Sequence, residues 1–334
     1  MLFRSASFAL ITYVSCWLKH HEPASFLCAM LNSQPLGFYS SSQLVQDAKR
    51  HGVLVLPVDV MQSSWDCTKE LGSDSNYHHA KNEVRLGLCM VSGLHESSAQ
   101  RIVAARAESP FTSTEDLALR ADLDAGDLKA LASADALMAL SGHRRQQVWD
   151  ASALKPAPPL LKDAPIEEDF LELSAASEGE EVVFDYAATG LTLRRHPLAI
   201  LRPKLAQMTL SGVALLSSAQ MHHLPSGRRV ATCGIVTMRQ QPQTAKGVVF
   251  VTLEDEAGNI NVIVWKALRE QQRSELLRSR LMAVYGDWQR DDGSGKKGQQ
   301  VQKGQGEVRH LIARRLQDLT PLLGRLGTAS RDFH

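Results

Sequence analysis

The sequence predicts a multidomain chain in which helices are followed by a five-stranded β-barrel. Apolar residues recur at helical spacing in two blocks, residues 6–51 and 83–153. From residue 228 onward the period changes to short runs that are rich in β-branched residues and partly alternate. Between the helices and the barrel, residues 154–181 are rich in proline and acidic side chains, which is typical of a linker.

In the first helical block, Pro23 can start a helical turn and the serines at 40–42 offer a helix cap. Gly52 ends the block, and the apolar run that follows predicts a short buried strand, with a polar loop over residues 59–82. Helices are predicted over residues 6–19, 24–32 and 43–51, and the strand over residues 53–56.

The β-rich portion predicts three strands, a helix and two further strands. This is the order of an OB-fold barrel, whose strands and flanking loops bind oligonucleotides. A hairpin turn is expected at residues 256–259, with Gly258 or Asn259 able to adopt a positive φ. The strands are predicted over residues 228–238, 248–254, 260–265, 281–289 and 308–314, and the helix over residues 266–278.

Composition bounds the class of protein. With 334 residues, 44% of them hydrophobic and 22% charged, the chain has room for two or three soluble domains. Its five cysteines form no CxxC pair, which indicates free thiols in a reducing compartment and predicts a cytoplasmic protein. The apolar run near the N-terminus is too short to span a bilayer and lacks a small-residue cleavage site, so no membrane partner is predicted.

The net charge of +1 hides an asymmetry along the chain. Residues 163–185 carry nine acidic and no basic side chains, whereas residues 222–334 carry 18 Lys or Arg against 11 Asp or Glu. A basic C-terminal third favours a polyanionic partner such as nucleic acid.

Residues 91–103 resemble a helix-hairpin-helix, in which glycines let the turn approach a phosphate and the next helix points its amides at it. Such a hairpin holds backbone without reading bases. The second hairpin glycine is replaced by His95, which either crowds the turn or supplies a donor. The alternative is an ordinary αα-hairpin capped by Gly93. The candidate DNA contacts are Gly93, His95, Ser97 and Arg101.

A second hairpin-like element covers residues 124–137 and is followed by Arg144 and Arg145, which can pair with phosphate. The alternative is a solvated, basic helix start. Just before it, Asp122 and Asp124 form a DxD pair of the kind that holds two metals, but with no strand to present them we interpret them as helix caps. No catalytic motif or metal site is predicted, because the sequence has no GxSxG, HExxH, Walker loop or Cys/His site.

An OB-fold holds single strands by stacking bases on aromatic side chains and tracking the backbone with Lys and Arg. The candidate aromatics are Phe250, Trp265 and Trp288, for each of which packing in the core is the simpler interpretation. Residues 290–306 predict a long loop beside the binding face, where the alternative is a solvated linker. The candidate cations are Arg228, Arg229, Arg239, Lys246, Lys296 and Lys297.

Many short motifs, in order along nearly the whole chain, resemble bacterial C-family DNA polymerases. The sequences of these motifs are most similar to those of the error-prone, damage-tolerant branch of the replicative alpha subunit. Residues 1–82 resemble the end of its fingers, 83–153 its helix-hairpin-helix region, 154–205 its bridge and 206–334 its OB-fold and C-terminal tail. The motifs are SFALI (7–11), WLK (17–19), EPA (22–24), LNSQP (31–35), GFY (37–39), HGV (51–53), PVDV (57–60), RLGL (85–88), PFTS (110–113), EDL (115–117), GHRR (142–145), DY (185–186), TGL (189–191), HPL (196–198), FVTLEDEAG (250–258) and SRDFH (330–334).

The resemblance implies template-directed, Mg²⁺-dependent DNA synthesis linked to damage-induced mutagenesis, with primer-template DNA, a sliding clamp and mutasome accessory proteins as partners. The family's PHP domain and its palm, which carries the metal-binding aspartates, would precede Met1. The chain is therefore expected to bind no cofactor and to be inactive by itself. It departs from the family at Met61, at His95 and in the length of the loop near residues 291–306. The alternative is a stand-alone, non-enzymatic protein that binds single-stranded DNA.

Overall fold

A computed structural model describes residues 2–36, 39–70, 83–154, 173–245, 247–291, 308–328 and 331–333. The chain divides into two compact units, Met1–Leu193 and Arg194–His334. The division lies inside the stretch that the sequence predicts as a bridge. None of the described helices is long and apolar enough to cross a membrane.

The first unit begins with the three predicted helices, which are confirmed: α1 (Leu2–His21), α2 (Pro23–Asn32) and α3 (Ser41–Arg50). Helix α3 starts where it does because Ser40 and Gln43 form a reciprocal capping box. The predicted strand is also present as β1 (Leu54–Leu56).

Two further strands were not predicted. β2 (Thr68–Glu70) and β3 (Glu83–Arg85) join β1 in a small sheet, in which β3 lies parallel to β1 and antiparallel to β2. The sequence predicted loop at β2 and helix at β3, because strands of three residues show no alternation that differs from chance.

The described part of this unit contains six more α-helices. Polar N-caps explain several of their starts, including Ser113, Asp124 and His143. The cap at Asp124 confirms its interpretation as a capping residue, whereas Asp122 lies at φ 48° beyond the end of a helix and caps none. The helices are α4 (Glu96–Glu108), α5 (Thr114–Arg120), α6 (Ala125–Ser133), α7 (Met138–Ser141), α8 (Arg144–Ala153) and α9 (Glu178–Thr189).

Helix α9 begins inside the stretch that the sequence predicted as a linker. Ser177 and Glu180 form a capping box there, so the signal was present but was masked by the surrounding acidic run. The core of the unit lies between α4, α5 and α6, where Ile102, Leu117 and Leu131 are fully buried.

The second unit opens with α10 (Pro197–Leu205) and a short β-hairpin, β4 (Thr209–Leu210) and β5 (Val213–Leu216), followed by α11 (Ser218–His222). The barrel elements then follow, each within a few residues of its predicted position. They are β6 (Arg229–Gln240), β7 (Val249–Glu254), β8 (Asn259–Val264), α12 (Lys266–Gln271), α13 (Arg273–Arg278), β9 (Leu281–Asp291) and β10 (Val308–Asp318), with a last strand β11 (Arg331–Phe333) beside β6.

The barrel closes because β6 pairs with both β7 and β9. Around it the order is β6, β7, β8, β10 and β9, and the pairing of β8 with β10 is parallel. This is the predicted five-stranded OB-fold. Alternate residues such as Val251, Leu253 and Val262 fill its interior.

The turn between β7 and β8 differs from the expectation. Neither Gly258 nor Asn259 has a positive φ. The turn is instead held by the buried carboxylate of Asp255, which accepts hydrogen bonds from the backbone N–H groups of Ala257 and Gly258, both at 2.9 Å. A side chain that closes its own turn removes the need for a left-handed residue.

Gly286 on β9 lies opposite Ala313 of its antiparallel partner β10, and it has no room for a side chain. A Cβ there would lie 2.0 Å from the carbonyl oxygen of Ile312. Gly286→Ala is therefore expected to lower the free energy of unfolding by about 1–3 kcal/mol, because backbone must shift. Thermal denaturation followed by circular dichroism measures this. The control is Gly258→Ala, where the nearest atom, Ser218 Oγ, is 3.6 Å away; equal losses in both variants would contradict the explanation.

Candidate nucleic-acid interface

The hairpin before α4 has the backbone that a phosphate contact requires. Gly93 has φ +87°, and an added Cβ would meet no described atom within 4 Å, so the glycine is needed for conformation and not for space. His95 is the N-cap of α4 with φ −88° and ψ 149°, an extended conformation that any residue adopts. The replaced glycine therefore costs no backbone strain, and the exposed imidazole does not crowd the turn.

The Arg101 side chain makes hydrogen bonds within the fold. Its guanidinium donates from Nε to the carbonyl of Ala121 at 2.8 Å and from Nη2 to that of Asp122 at 2.9 Å. It also lies 3.7 Å from Asp127. Arg101 thus fixes α4 to the connection between α5 and α6, while Ser97, one turn earlier, is exposed.

Arg144 is not available to a phosphate, so the prediction that it contacts DNA is wrong. Its side chain is 4% exposed and is enclosed by acidic groups. It donates to Asp185, to the carbonyl of Glu181 at 3.1 Å, and lies 3.2 Å from the Glu181 carboxylate. Arg145 remains half-exposed, although it pairs with Glu180 at 3.3 Å.

The outer face of the barrel presents an aromatic side chain on β7, between β6 and β8. Phe250 on β7 is 40% exposed, while its chain neighbours Val249 and Val251 point into the core. Across the sheet it stands opposite Ile263 of β8 and Gln240 of β6. Phe250 therefore occupies the centre of a three-stranded surface, which corrects the interpretation that it packs in the core.

Trp265 extends this surface. It follows β8 directly in an extended conformation and is 53% exposed, so it also lies outside the core. Because side chains alternate along a strand, Trp265 lies on the same side as Ile263 and hence as Phe250. Two exposed aromatics on one face match the stacking platform of single-strand binding proteins.

Two cationic residues beside this face were not predicted from the sequence. Lys266 and Arg269 lie in the first turn and a half of α12, and both approach Gly247 in the loop between β6 and β7. Each lies 3.9 Å from Glu270, and the Lys266 side chain is 65% exposed. The available signal was their position one and four residues after Trp265, which places both near the aromatic.

Arg239 and Trp288 have structural roles, which corrects their assignment as contacts. Arg239 is buried and donates to the carbonyls of Leu276, at 2.6 Å, and Ser279, so it fixes the end of α13 to β6. Trp288 is 3% exposed within the barrel core and meets the ring of His222 edge-on.

Arg228 and Arg229 are exposed but lie at the other end of β6. Eleven residues separate Arg229 from Gln240, the cross-strand partner of Phe250, or on the order of 35 Å along the strand at about 3.3 Å per residue. Asp287 partly offsets the charge there, since it lies 3.8 Å from Arg229 and 2.5 Å from Arg314. The predicted barrel contacts therefore form two separate regions.

The carbonyl of His222, at this end of the barrel, accepts a hydrogen bond from Arg309 at 3.1 Å. Partial burial, followed by the positive charge of Arg309, lowers the pKa of His222 below its ordinary value. The remaining predicted cations, Lys246, Lys296 and Lys297, lie outside the described residues. Within the described ranges, no group of three His, Cys, Asp or Glu side chains could hold a metal ion.

Two family matches agree with this architecture. Residues 52–147 match the helix-hairpin-helix motif. Residues 230–316 match the OB-fold nucleic acid binding domain, which covers most of the barrel. Among solved structures, asparaginyl-tRNA synthetase from Pyrococcus horikoshii is similar over 28% of this chain and 20% of its own, at 16% identity and a TM-score of 0.21, a likeness too slight to bear on the fold.

Curated relatives match almost the entire chain. An "Error-prone DNA polymerase" of Ralstonia nicotianae is 49% identical over 333 residues, or 99% of this chain and 29% of the relative. Those of Burkholderia pseudomallei and Bordetella parapertussis are 50% identical over 99% of this chain and 29% and 30% of their own length. The chain thus corresponds to a portion, under a third in length, of proteins named error-prone DNA polymerase, and it carries their helix-hairpin-helix and OB-fold regions.

Proposed function

We propose that this chain is the DNA-holding portion of an error-prone DNA polymerase, in which the barrel binds template single strand and the hairpin binds duplex backbone. The observation that carries the proposal is the pair of exposed aromatics, Phe250 and Trp265, on one face of an OB-fold. Removing the apolar surface of such side chains from water is favourable, so their exposure together indicates a surface that receives a ligand.

The barrel face suits a single strand for physical reasons. Unpaired bases present flat apolar surfaces that stack on Phe250 and Trp265, and stacking tolerates any base sequence. Lys266 and Arg269 would neutralise neighbouring phosphates. A duplex hides its base faces, so it would gain only the electrostatic part of this interaction.

The hairpin suits a duplex backbone. Gly93 supplies the left-handed turn, and the first amides of α4, with Ser97 and His95, are exposed to an approaching phosphate. These contacts carry no base specificity. A polymerase that copies any template must bind DNA without recognising its base sequence.

The activity of the complete polymerase is part of the proposal. It comprises template-directed synthesis across damaged templates in the cytoplasm, with Mg²⁺ bound by a part of the polymerase outside this chain. Among the described residues, no group of three or more His, Cys, Asp or Glu side chains is arranged to hold the metal. A sliding clamp and mutasome accessory proteins are the proposed protein partners.

The test is a salt series on the purified chain. Fluorescence anisotropy of a labelled oligo(dT) is expected to show tighter binding than a duplex of equal length. A log–log slope of about −2 to −3 against salt is expected if three or four phosphates are held, at about −0.7 per phosphate. An absence of single-strand binding at low salt would overturn the proposal.

A primer-extension assay on the same sample tests whether this chain synthesises DNA by itself. We expect no extension by this chain with Mg²⁺ and nucleotides. The second candidate, a stand-alone single-strand binding protein, is supported by the exposure of both aromatics within this chain. Extension by this chain alone would contradict both candidates.

A further inference from the structure

We propose that a cavity beside the hairpin takes up an extrahelical nucleobase, that is, an unpaired base that has turned out of a DNA duplex. The inference rests on the proposed function, and it adds to the helical unit a site for a single base.

The cavity has a volume of about 770 Å³, and its described lining residues all belong to the first, helical unit. Ligand sites in proteins occupy about 300–1,000 Å³. Helices α6, α8 and α9 line the cavity, together with Ser92 and Gly93 of the hairpin. The N–H of Ser92 donates to the carbonyl of Ala188 in α9 at 2.8 Å, which fixes the hairpin to this lining. A duplex that the hairpin holds would therefore lie beside the cavity.

The lining of the cavity exposes aromatic and apolar side chains. Trp149, Phe184 and Val148 all line it and are 38–51% exposed, and the small side chains of Ala130 and Ala188 leave room between the helices. Apolar side chains that stay this exposed around one concavity indicate a ligand site. An unpaired base suits such a lining, because its flat apolar faces stack on aromatic rings.

The charges around the cavity favour an anionic ligand. Lys129 is exposed, and Arg145 is half-exposed although it pairs with Glu180. The buried Arg144 also lines the cavity, but neighbouring carboxylates offset its charge. None of the described lining residues is acidic. The phosphates on either side of a base in the cavity would therefore meet positive charge and no carboxylate of the lining.

A base without a pairing partner is the preferred occupant. Turning a paired base out of a duplex costs its pairing and its stacking, and one new stacking contact does not exceed that cost. A mismatched or bulged base has already lost its pairing, so it costs least to extrude. The cavity would therefore select duplexes that carry such a nucleotide, which errors of template-directed synthesis leave in the product.

The experiment compares two labelled duplexes by fluorescence anisotropy with the purified chain. One carries a single bulged thymidine, and the other carries an abasic residue in the same bulge, so that only the base differs. We expect the thymidine duplex to bind about fivefold more tightly or better, which is the smallest factor that one stacked base supplies.

Trp149→Ala should remove this preference, and Trp149→Phe should retain most of it, because a phenylalanine ring also stacks a base. The matched control is Tyr39→Ala, which removes an equally exposed aromatic of the same unit that is not among the described lining residues. It should keep the full preference. An independent reading comes from 2-aminopurine in the bulge, whose fluorescence should fall when the parent chain binds and fall less with W149A.

Equal affinity of the parent chain for the two bulged duplexes would overturn the inference and would leave the cavity to a protein segment. A preference that W149A retains in full would overturn it as well. A fully paired duplex on the same sample separates the two proposals. Binding of that duplex without a preference for the bulged base would contradict this inference alone, whereas no binding of any duplex would also contradict the proposed role of the hairpin.

Discussion

Replacing Phe250 and Trp265 together by alanine is expected to reduce affinity for oligo(dT) by about 30-fold or more. Each stacked base contributes about 1–3 kcal/mol, and the two side chains would serve two bases. Both are exposed on the outer face of the barrel, so their removal should leave the fold intact. Fluorescence anisotropy at fixed salt measures the loss, and circular dichroism checks folding.

The salt slope distinguishes stacking from charge. Because F250A/W265A removes no cation, its slope should equal that of the parent chain, whereas Lys266→Ala with Arg269→Ala should make the slope shallower. Tyr39→Ala is the control, since Tyr39 is 53% exposed but belongs to the helical unit. Unchanged affinity of F250A/W265A would show that the exposed aromatics serve another purpose.

Asp185→Ala is expected to destabilise the helical unit by about 1–3 kcal/mol, because buried donors lose their acceptor. The buried Arg144 guanidinium would lose its hydrogen-bond acceptor, while the Glu181 carboxylate 3.2 Å away would still offset its charge. The hydroxyl of Thr192 would also lose its acceptor, which lies 2.5 Å away. Urea denaturation followed at 222 nm measures the change.

A matched control for this prediction is Asp47→Ala. Asp47 also pairs with a cation, Lys19, but both side chains are more than a third exposed. Solvent screens such a pair, and its loss should cost less than about 1 kcal/mol. Similar losses in the two variants would contradict the structural role assigned to the buried cluster around Arg144.

The sequence alone located the barrel well because its strands are long and rich in β-branched residues, and because burial partly alternates along β7 and β8. It also located the first three helices, since proline and serine mark their starts. It missed β2 and β3, which are too short to show a period, and the start of α9, where a capping box lay inside an acidic run.

The candidate site was harder to predict because burial depends on partners that are remote in sequence. Arg144 was assigned to a phosphate, but Asp185 lies 41 residues later and encloses it. Arg239 was also assigned to a phosphate, but its guanidinium donates to the carbonyl of Leu276 in α13, 37 residues later. Phe250 and Trp265 were candidate DNA contacts for which packing in the core was the simpler interpretation, and their exposure in the folded barrel shows that they face outward.

Photo-cross-linking is the most direct test of the claim that this chain holds single-stranded DNA on the outer face of the barrel. An oligonucleotide carrying 5-iododeoxyuridine is bound to the purified chain, irradiated and mapped by mass spectrometry. We predict cross-links at Phe250 or Trp265, which disappear when unlabelled oligo(dT) is added in excess. Cross-links confined to the helical unit, or none that oligo(dT) displaces, would contradict the account.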